Sequence, residues 1–478
     1  MNIAVATPTA VPPDMHATLG AQRAAFLHAG APSLQERRAD LTKLGEAIGR
    51  NTDRLAKAIS ADFGNRSRHE TELGEIVPAQ ATIRHTLRHL AGWMRPKRVS
   101  VGIELLPATA RIIYQPAGVV GIISPWNYPF NLSIVPLVAA LAAGNRVMLK
   151  PSELTPRTSD FIGEFLAGLF PPDKVATIIG GPEVGQAFAR LPFDHLLYTG
   201  STTVGRMVMQ AAAENLTPVT LELGGKSPCI LGPDAELPRA VESIVYGKLL
   251  NAGQTCIAPD YVLLPQDKLD AFIERAVDTT RKFYPTLAAN TDYTSIINER
   301  HYRRVAQYVA EAKAIGARVI EINPQHETLP AEARKLPPTL IIEPGDGLAV
   351  MREEIFGPVL PVKTYRGLDE AIDYVNNHPR PLALYYFGAE PRERDEVLRK
   401  TTSGGASVNT TLFHFVADNL PFGGIGPSGI GAYHGEFGFQ TFSHRKGVFL
   451  QSRVNGARFL YPPFGRITDL MLKFLKRR

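Results

Sequence analysis

Apolar residues along this chain follow two different periods. From Ser33, Leu41, Leu44, Ile48, Leu55 and Ile59 recur at helical spacing until Gly64 stops the run. Ser33 and Glu36 form a capping box at its start, so the pattern predicts one helix ending at Gly64. From Gly118 the pattern changes to short β-branched runs: "VVGIIS" (119–124), "RVMLK" (146–150), "ATII" (176–179), "HLLYT" (195–199) and "VTLEL" (219–223). Between them, "LSIVPLVAALAAG", closed by Gly144, and a stretch from Thr155-Pro156 to about Leu169 read as helices. Strands that are apolar throughout are buried on both faces, and intervening helices imply parallel crossovers.

The second half repeats the alternation with "YVLLP" (261–265), "RVIEI" (318–322), "TLII" (339–342), "LALYYF" (382–387) and "GASVN" (405–409). "RPKRVSVGIELLPATARIIYQPAG" has alternating residues but no flanking helix, and reads as an extended hairpin excursion used for subunit contact. The expected fold is therefore α/β: two doubly wound Rossmann-like domains plus a small β-strand bridging and oligomerisation element.

Composition adds boundaries to this picture. A chain of 478 residues needs two or three domains, and 44% hydrophobic residues supply large cores. Two cysteines cannot staple a protein of this size, which points to a reducing, cytoplasmic setting. The N-terminal "MNIAVATPTAVPPDMH" lacks a basic n-region and an unbroken apolar run, and reads as a loose arm, not a signal peptide. No run of about 18 apolar residues is present to span a membrane. A charge of +6 is modest, and no basic cluster alternates with aromatics, so nucleic acid is not an expected partner.

Two glycine motifs mislead. "GGIGPSG" holds Gly424, Gly426 and Gly429 in G-x-G-x-x-G spacing, but "NLPFG" before it is a poor strand, and a flexible loop is the better reading. "LGGKS" (223–227) resembles the end of a phosphate loop, yet Thr220 stands where its first glycine belongs.

The chemistry centres on "NAGQTC". A loop after the helical "RAVESIVYGKLL" would present Cys256 at a domain surface, with Gly253 allowing close approach and Asn251, Gln254 and Thr255 satisfying backbone groups. That polar setting favours a nucleophile over a small buried hydrophobe, whereas Cys229 in "SPCILG" keeps the core reading. Glu222 ends a strand and meets a double glycine, a poorly solvated place that raises a carboxyl pKa toward that of a general base. Asn127, fixed between two prolines in "SPWNYPF" and walled by Trp126, Tyr128 and Phe130, suits the stabilisation of an oxyanion.

Together "NAGQTC", "LELGGKSP", "SPWNYPF", "KPSE", "YTGSTTVG" and "EIFGPV" resemble the motifs of the aldehyde dehydrogenase superfamily, in that family's order, across about Ser33 to Gly447. Glu222 and Cys256 stand 34 residues apart, the family's interval. "NAGQTCIAPDY" and "PFGGIGPSGIGAYHGEFGFQTFSHRK" are most similar to the class 3 branch, and "ISADFGNRSRHET" to its coniferyl aldehyde members. The resemblance implies that Cys256 attacks the aldehyde, that Asn127 and the Cys256 N–H hold the oxyanion, and that Glu222 activates the water that releases the acid. It implies NAD as cofactor, with Lys150 and Glu153 at the adenosine ribose and Gly200, Ser201 and Gly205 at the pyrophosphate. Glu354 and Phe356 are implied at the nicotinamide ribose and ring, and Trp126 completes the cofactor set. Glu153 should repel a 2′-phosphate and favour NAD, while Lys150 leaves NADP tolerable.

The implied division is 1–96 and 117–221 for NAD binding, 222–418 for catalysis, 97–116 and 419–460 for bridging, and 461–478 as an amphipathic tail. A homodimer acting on a small aldehyde is expected, and aromatic residues Tyr128, Phe413 and Phe415 near the entrance suit a coniferyl-like substrate. A medium-chain aldehyde is the alternative within the family. A cysteine hydrolase or acyltransferase is the alternative outside it, but none of the twelve histidines sits in a matching motif. His85 and His89 lack the glutamate of a metalloprotease helix; a solvated basic face is expected there, and no metal. In the tail, Ile467, Leu470, Met471 and Phe474 at helical spacing oppose Lys473, Lys476, Arg477 and Arg478. This fits docking on a partner subunit, favoured here, or weak contact with an anionic membrane.

Overall fold

A computed structural model describes residues 14–476, and three sheets organise it. The first runs, in spatial order, Gly429–Ile430, Val219–Glu222, His195–Thr199, Val119–Ile123, Arg146–Lys150 and Val175–Thr177. All pairs are parallel except the outermost, where Gly429–Ile430 lies antiparallel to Val219–Glu222. The second runs Arg318–Glu321, Thr339–Ile342, Val359–Tyr365, Tyr261–Pro265, Pro228–Leu231, Ala383–Phe387 and Gly405–Val408, with only the Arg318–Glu321 edge antiparallel. The third is small and antiparallel: Lys97–Val99, Thr109–Pro116 and Ser443–Leu450. The mixed α/β architecture with parallel sheets is the expected one. Its central strands are buried along their whole length, as continuous apolar runs require.

Several expectations need correction. The run from Ser33 to Gly64 is two helices, Leu34–Arg50 and Thr52–Phe63. Asn51 breaks it, and its side-chain amide donates to the Ala47 carbonyl, so Leu55 and Ile59 belong to the second helix. The capping box at Ser33 and Glu36 is present. Pro228–Leu231 and Val359–Tyr365 are buried central strands that the sequence pattern did not mark, the second because Pro361 sits within it. The proposed arm falls mainly in residues 1–13, outside the described residues; Asp14 caps a helix, Met15–Ala29, where a loose arm was expected.

"GGIGPSG" is not a flexible loop. Gly429 pairs with Glu222 across the sheet edge, and a Cβ at Gly424 would lie 1.9 Å from the Ser428 carbonyl oxygen. Nor is the His85 face simply solvated. Arg84 and Arg88 are exposed, but His85, His89 and Trp93 pack ring against ring, with the two imidazoles 4.3 Å apart and only His89 stacked on Trp93. The tail forms the helix Arg466–Lys476, with Ile467, Leu470 and Phe474 exposed; Arg477 and Arg478 lie outside the described residues. Among the described residues no helix is long and apolar enough to cross a membrane.

Candidate active site

The helix Leu237–Leu249 ends in a tight turn that delivers Cys256. Asn251 and Ala252 adopt left-handed backbone (φ 53° and 52°), and Gly253 follows at φ 78°. A Cβ at Gly253 would lie 2.3 Å from the Gly357 carbonyl oxygen, so only glycine fits there. Two adjacent non-glycine residues in this region are strained, and the surroundings hold them. The Asn251 N–H donates to Glu70 (3.1 Å), and its side-chain amide donates to the carbonyls of Asn127 and Gln254 (3.1 Å each). Gln254 donates to Asn251 and Ser295 carbonyls and accepts from the Ile297 N–H. The amides satisfy backbone groups as expected, but the segment is not at an outer surface. Asn251 to Gln254 are buried, and Cys256 is reached only where it borders two cavities.

Burial pushes the Cys256 thiol up, and the carboxylates of Glu354 and Glu222 add to this. The backbone N–H groups of Cys256 and Ile257 act in the opposite sense, pulling it down. Glu222 closes its strand with the carboxyl buried and neither oxygen hydrogen-bonded, and burial holds its pKa well above the usual carboxylate range. Burial thus favours the neutral form of both groups. Cys229 is fully buried in the core, as expected.

Asn127 approaches the nucleophile turn, its side-chain amide donating to the Gln254 carbonyl at 3.2 Å. Its own carbonyl accepts from Arg66 (3.0 Å), which forms a fully buried ion pair with Glu75 (2.9 Å). Glu75 in turn accepts from the N–H groups of Phe130 and Asn131, so one buried carboxylate fixes the loop on which Asn127 sits. Removing one partner of such a pair strands the other charge. Arg66→Ala is expected to cost about 3–5 kcal/mol, read as a lowered denaturation midpoint, with Arg66→Ala/Glu75→Gln recovering part of the loss. An unchanged midpoint in the single variant would remove Arg66 from the scaffold.

The larger cavity is about 850 Å³, lined by strand ends of the first sheet and by the segments that carry Cys256, Arg300 and Glu354. It brings together Cys256, Glu222, Asn127, Trp126, Lys150, Glu153, Gly200, Ser201, Glu354 and Phe356. Gly205 is not among them: it lies inside the helix Thr202–Ala213, where a Cβ would meet Leu223 at 2.7 Å. Ser201 caps that helix by accepting from the Val204 N–H, and the helix N-terminus faces the cavity, an arrangement suited to an anion. The Lys150 ammonium contacts Glu153 at 2.7 Å. Glu354 keeps one buried oxygen without a partner, and burial, with Asp260 nearby, raises its pKa to about 8. Phe356 has left-handed backbone (φ 50°) and meets Trp126 edge-on at 5.3 Å.

Supporting residues escaped the sequence reading. Lys226, from the rejected phosphate-loop lookalike, binds Asp260 and the carbonyls of Val350 and Glu353, while Asp260 accepts from the Ile355 N–H. These bonds hold Glu354 and Phe356 in place. Arg300, His301 and Arg304 also line the cavity, with the His301 ring tilted against Trp126 at 5.0 Å. No motif marked them.

A second cavity of about 360 Å³ meets the first at Cys256 and is lined almost wholly by apolar groups, among them Leu73, Val77, Leu132, Phe413 and Phe415. Phe413 is exposed at its rim, as expected, but Tyr128 is an inner wall, its hydroxyl 2.8 Å from that of Thr255. Among the described residues no group of His, Cys, Asp and Glu gathers as a metal site.

This arrangement has known counterparts. A family model described as "Aldehyde dehydrogenase family" matches residues 2–448. A curated protein of Caulobacter vibrioides named "Probable coniferyl aldehyde dehydrogenase" is 51% identical over 94% of each chain. Among solved structures, the substrate-bound state of Staphylococcus aureus AldH superposes with a TM-score of 0.90 at 36% identity, covering 96% of this chain and 99% of that one. An NAD-dependent aldehyde dehydrogenase from Sinorhizobium meliloti gives a TM-score of 0.82 at 27% identity, over 94% and 88% of the two chains.

Proposed function

The chain belongs to the aldehyde dehydrogenase family, and on that premise we propose that it oxidises an aromatic, coniferyl-like aldehyde to its carboxylic acid with NAD. One observation carries the reading: Cys256 borders both the large cavity and the apolar one, so a single thiol reaches a cofactor on one side and an aldehyde on the other.

The residues fit NAD. Gly200 and Ser201 offer a helix N-terminus to the pyrophosphate, Lys150 and Glu153 a polar pair to the adenosine ribose, and the unpartnered Glu354 oxygen an acceptor to the second ribose. Phe356 and Trp126 supply an aromatic corner. In the proposed mechanism Cys256 first gives up its proton to solvent, and the resulting thiolate attacks the aldehyde carbon. Asn127 and the Cys256 N–H donate to the oxygen as it becomes negative. NAD, when bound, supplies the hydride acceptor that converts the thiohemiacetal into a thioester. Glu222, once deprotonated, takes a proton from water as the water attacks the thioester, and Cys256 leaves as thiolate. Trp126 works from the cofactor side. Gly205 serves by letting its helix pack closely on Leu223.

We assign 1–96 and 117–221 to NAD binding, 222–418 to catalysis, 97–116 and 419–460 to bridging, and 461–478 to an amphipathic tail. The three-stranded sheet supports a homodimer joined through the bridging element, in the cytoplasm, with the tail docked on the partner subunit in preference to a membrane.

The deciding experiment compares kcat/KM for coniferyl, benzyl and medium-chain aliphatic aldehydes with NAD and with NADP. Coniferyl aldehyde with NAD should lead, and a preference for the aliphatic series would overturn the substrate reading. Cofactor choice has its own test. Glu153→Ala, which leaves Lys150 without its carboxylate partner, is expected to shift the NADP/NAD ratio of kcat/KM toward NADP by about tenfold. An unmoved ratio would take Glu153 out of cofactor selection.

A further inference from the structure

The cavity on the substrate side of Cys256 is apolar except at a few points, and Asp418 is the one carboxylate among its described lining residues. One Asp418 oxygen accepts from the Thr82 hydroxyl at 2.8 Å; the other has no hydrogen-bond partner among the described residues. Thr82 is buried on the helix Val77–Trp93 and orients the carboxylate from one side. His85, one turn along that helix, feels the Asp418 charge, and its buried Nε2 is also without a partner; His434 is the other titratable group of the cavity wall apart from Cys256 and the tyrosines. Asp418 itself is half-buried, so water serves its free oxygen when the cavity holds no organic molecule.

A carboxylate only accepts hydrogen bonds. An alkyl chain filling the cavity would displace that water and return nothing, whereas a molecule with a hydroxyl at its far end would replace the lost bond. A carboxylate-bearing chain would meet a like charge. We propose that Asp418 determines specificity by receiving a hydroxyl carried on the substrate's ring, remote from the aldehyde, so that the preferred class is the hydroxylated aryl aldehydes. This rests on the reading of Cys256 as the aldehyde-binding nucleophile and of the substrate as coniferyl-like, and it names the residue that would select the ring hydroxyl.

The test uses three aldehydes that differ in one substituent: 4-hydroxy-3-methoxycinnamaldehyde, its 4-O-methyl ether, and unsubstituted cinnamaldehyde. The full-length protein should favour the phenol over its methyl ether by about tenfold in kcat/KM, the discrimination of one hydrogen bond to a half-buried charge. Asp418→Ala should bring that ratio close to one by raising KM for the phenol, with kcat and the cinnamaldehyde constants within about threefold of the parent. Asp418→Asn, which keeps the shape and a carbonyl for Thr82, should lower the ratio as well and serves if the alanine variant folds poorly. Oxidation of cinnamaldehyde with a ratio that neither substitution moves would overturn the role of Asp418 alone. Failure to oxidise any of the three would instead bring down the proposed function.

Discussion

Cys256→Ala is expected to lower NAD-linked aldehyde oxidation by about 10⁴-fold or more while leaving the protein folded and able to bind NAD. The sulfur borders two cavities, so its loss removes few packing contacts and should cost about 1 kcal/mol of stability. The measurements are NADH absorbance for turnover, a cofactor titration for binding, and mass spectrometry of acid-quenched parent enzyme for an acyl group on the Cys256 peptide. Cys229→Ala is the matched control. Cys229 is sealed in the core strand Pro228–Leu231, so that variant should lose stability but retain turnover per folded molecule. A Cys256→Ala rate above about a tenth of the parent would defeat covalent catalysis at this thiol.

Glu222→Gln should separate the two halves of the reaction. Acylation of Cys256 does not need water, so one equivalent of NADH per site should appear in a burst, followed by a steady state slowed about 10²–10⁴-fold. The acyl-enzyme should then accumulate and be visible by mass. A variant with no burst, or one with normal turnover, would place the base elsewhere.

The pH profile follows from the burial of Glu222. Its pKa is raised, and in the proposed mechanism the deprotonated form is the base, so kcat in the parent should climb as pH rises above the usual carboxylate range, and the Glu222-dependent limb should vanish in the glutamine variant. Stability should run the other way. Raised carboxyl pKa values mean that the folded state holds protons the unfolded chain has released, so their contribution is complete below the unfolded value and lost as pH rises through the folded one. Glu70 (ordinary 4.5, raised to about 7) and Glu354 (raised to about 8) act in the same sense, which places the loss between pH 4.5 and about 8. The parent should therefore melt lower at pH 8.5 than at pH 6, and Glu222→Gln should flatten part of that slope.

Much of this was legible in the sequence because local physics and global fold agree. "VVGIIS" and "YVLLP" read as buried parallel strands because they have no polar face, and they are. Cys256, Glu222 and Asn127 were readable because each sits at a break in an element, where glycine or proline leaves a mark. What stayed hidden depends on distant partners. The helix Met15–Ala29 fully buries only Leu19 and Gln22, so it carries no apolar stripe to detect. Arg66 would be taken for a surface residue; its burial makes sense only once Glu75 and the Asn127 carbonyl surround it. Lys226 likewise declares its role only beside Asp260.

The antiparallel pairing of Gly429 with Glu222 has a bearing on biosynthesis. The strand that carries Glu222 emerges early from the ribosome, with the neighbours that build its parallel sheet, yet its outer edge is covered by residues made some two hundred codons later. Until that segment arrives, the edge is open and the carboxyl has no fixed seat. The nascent chain can thus form the five parallel strands of this sheet well before the segment that covers the Glu222 edge is made.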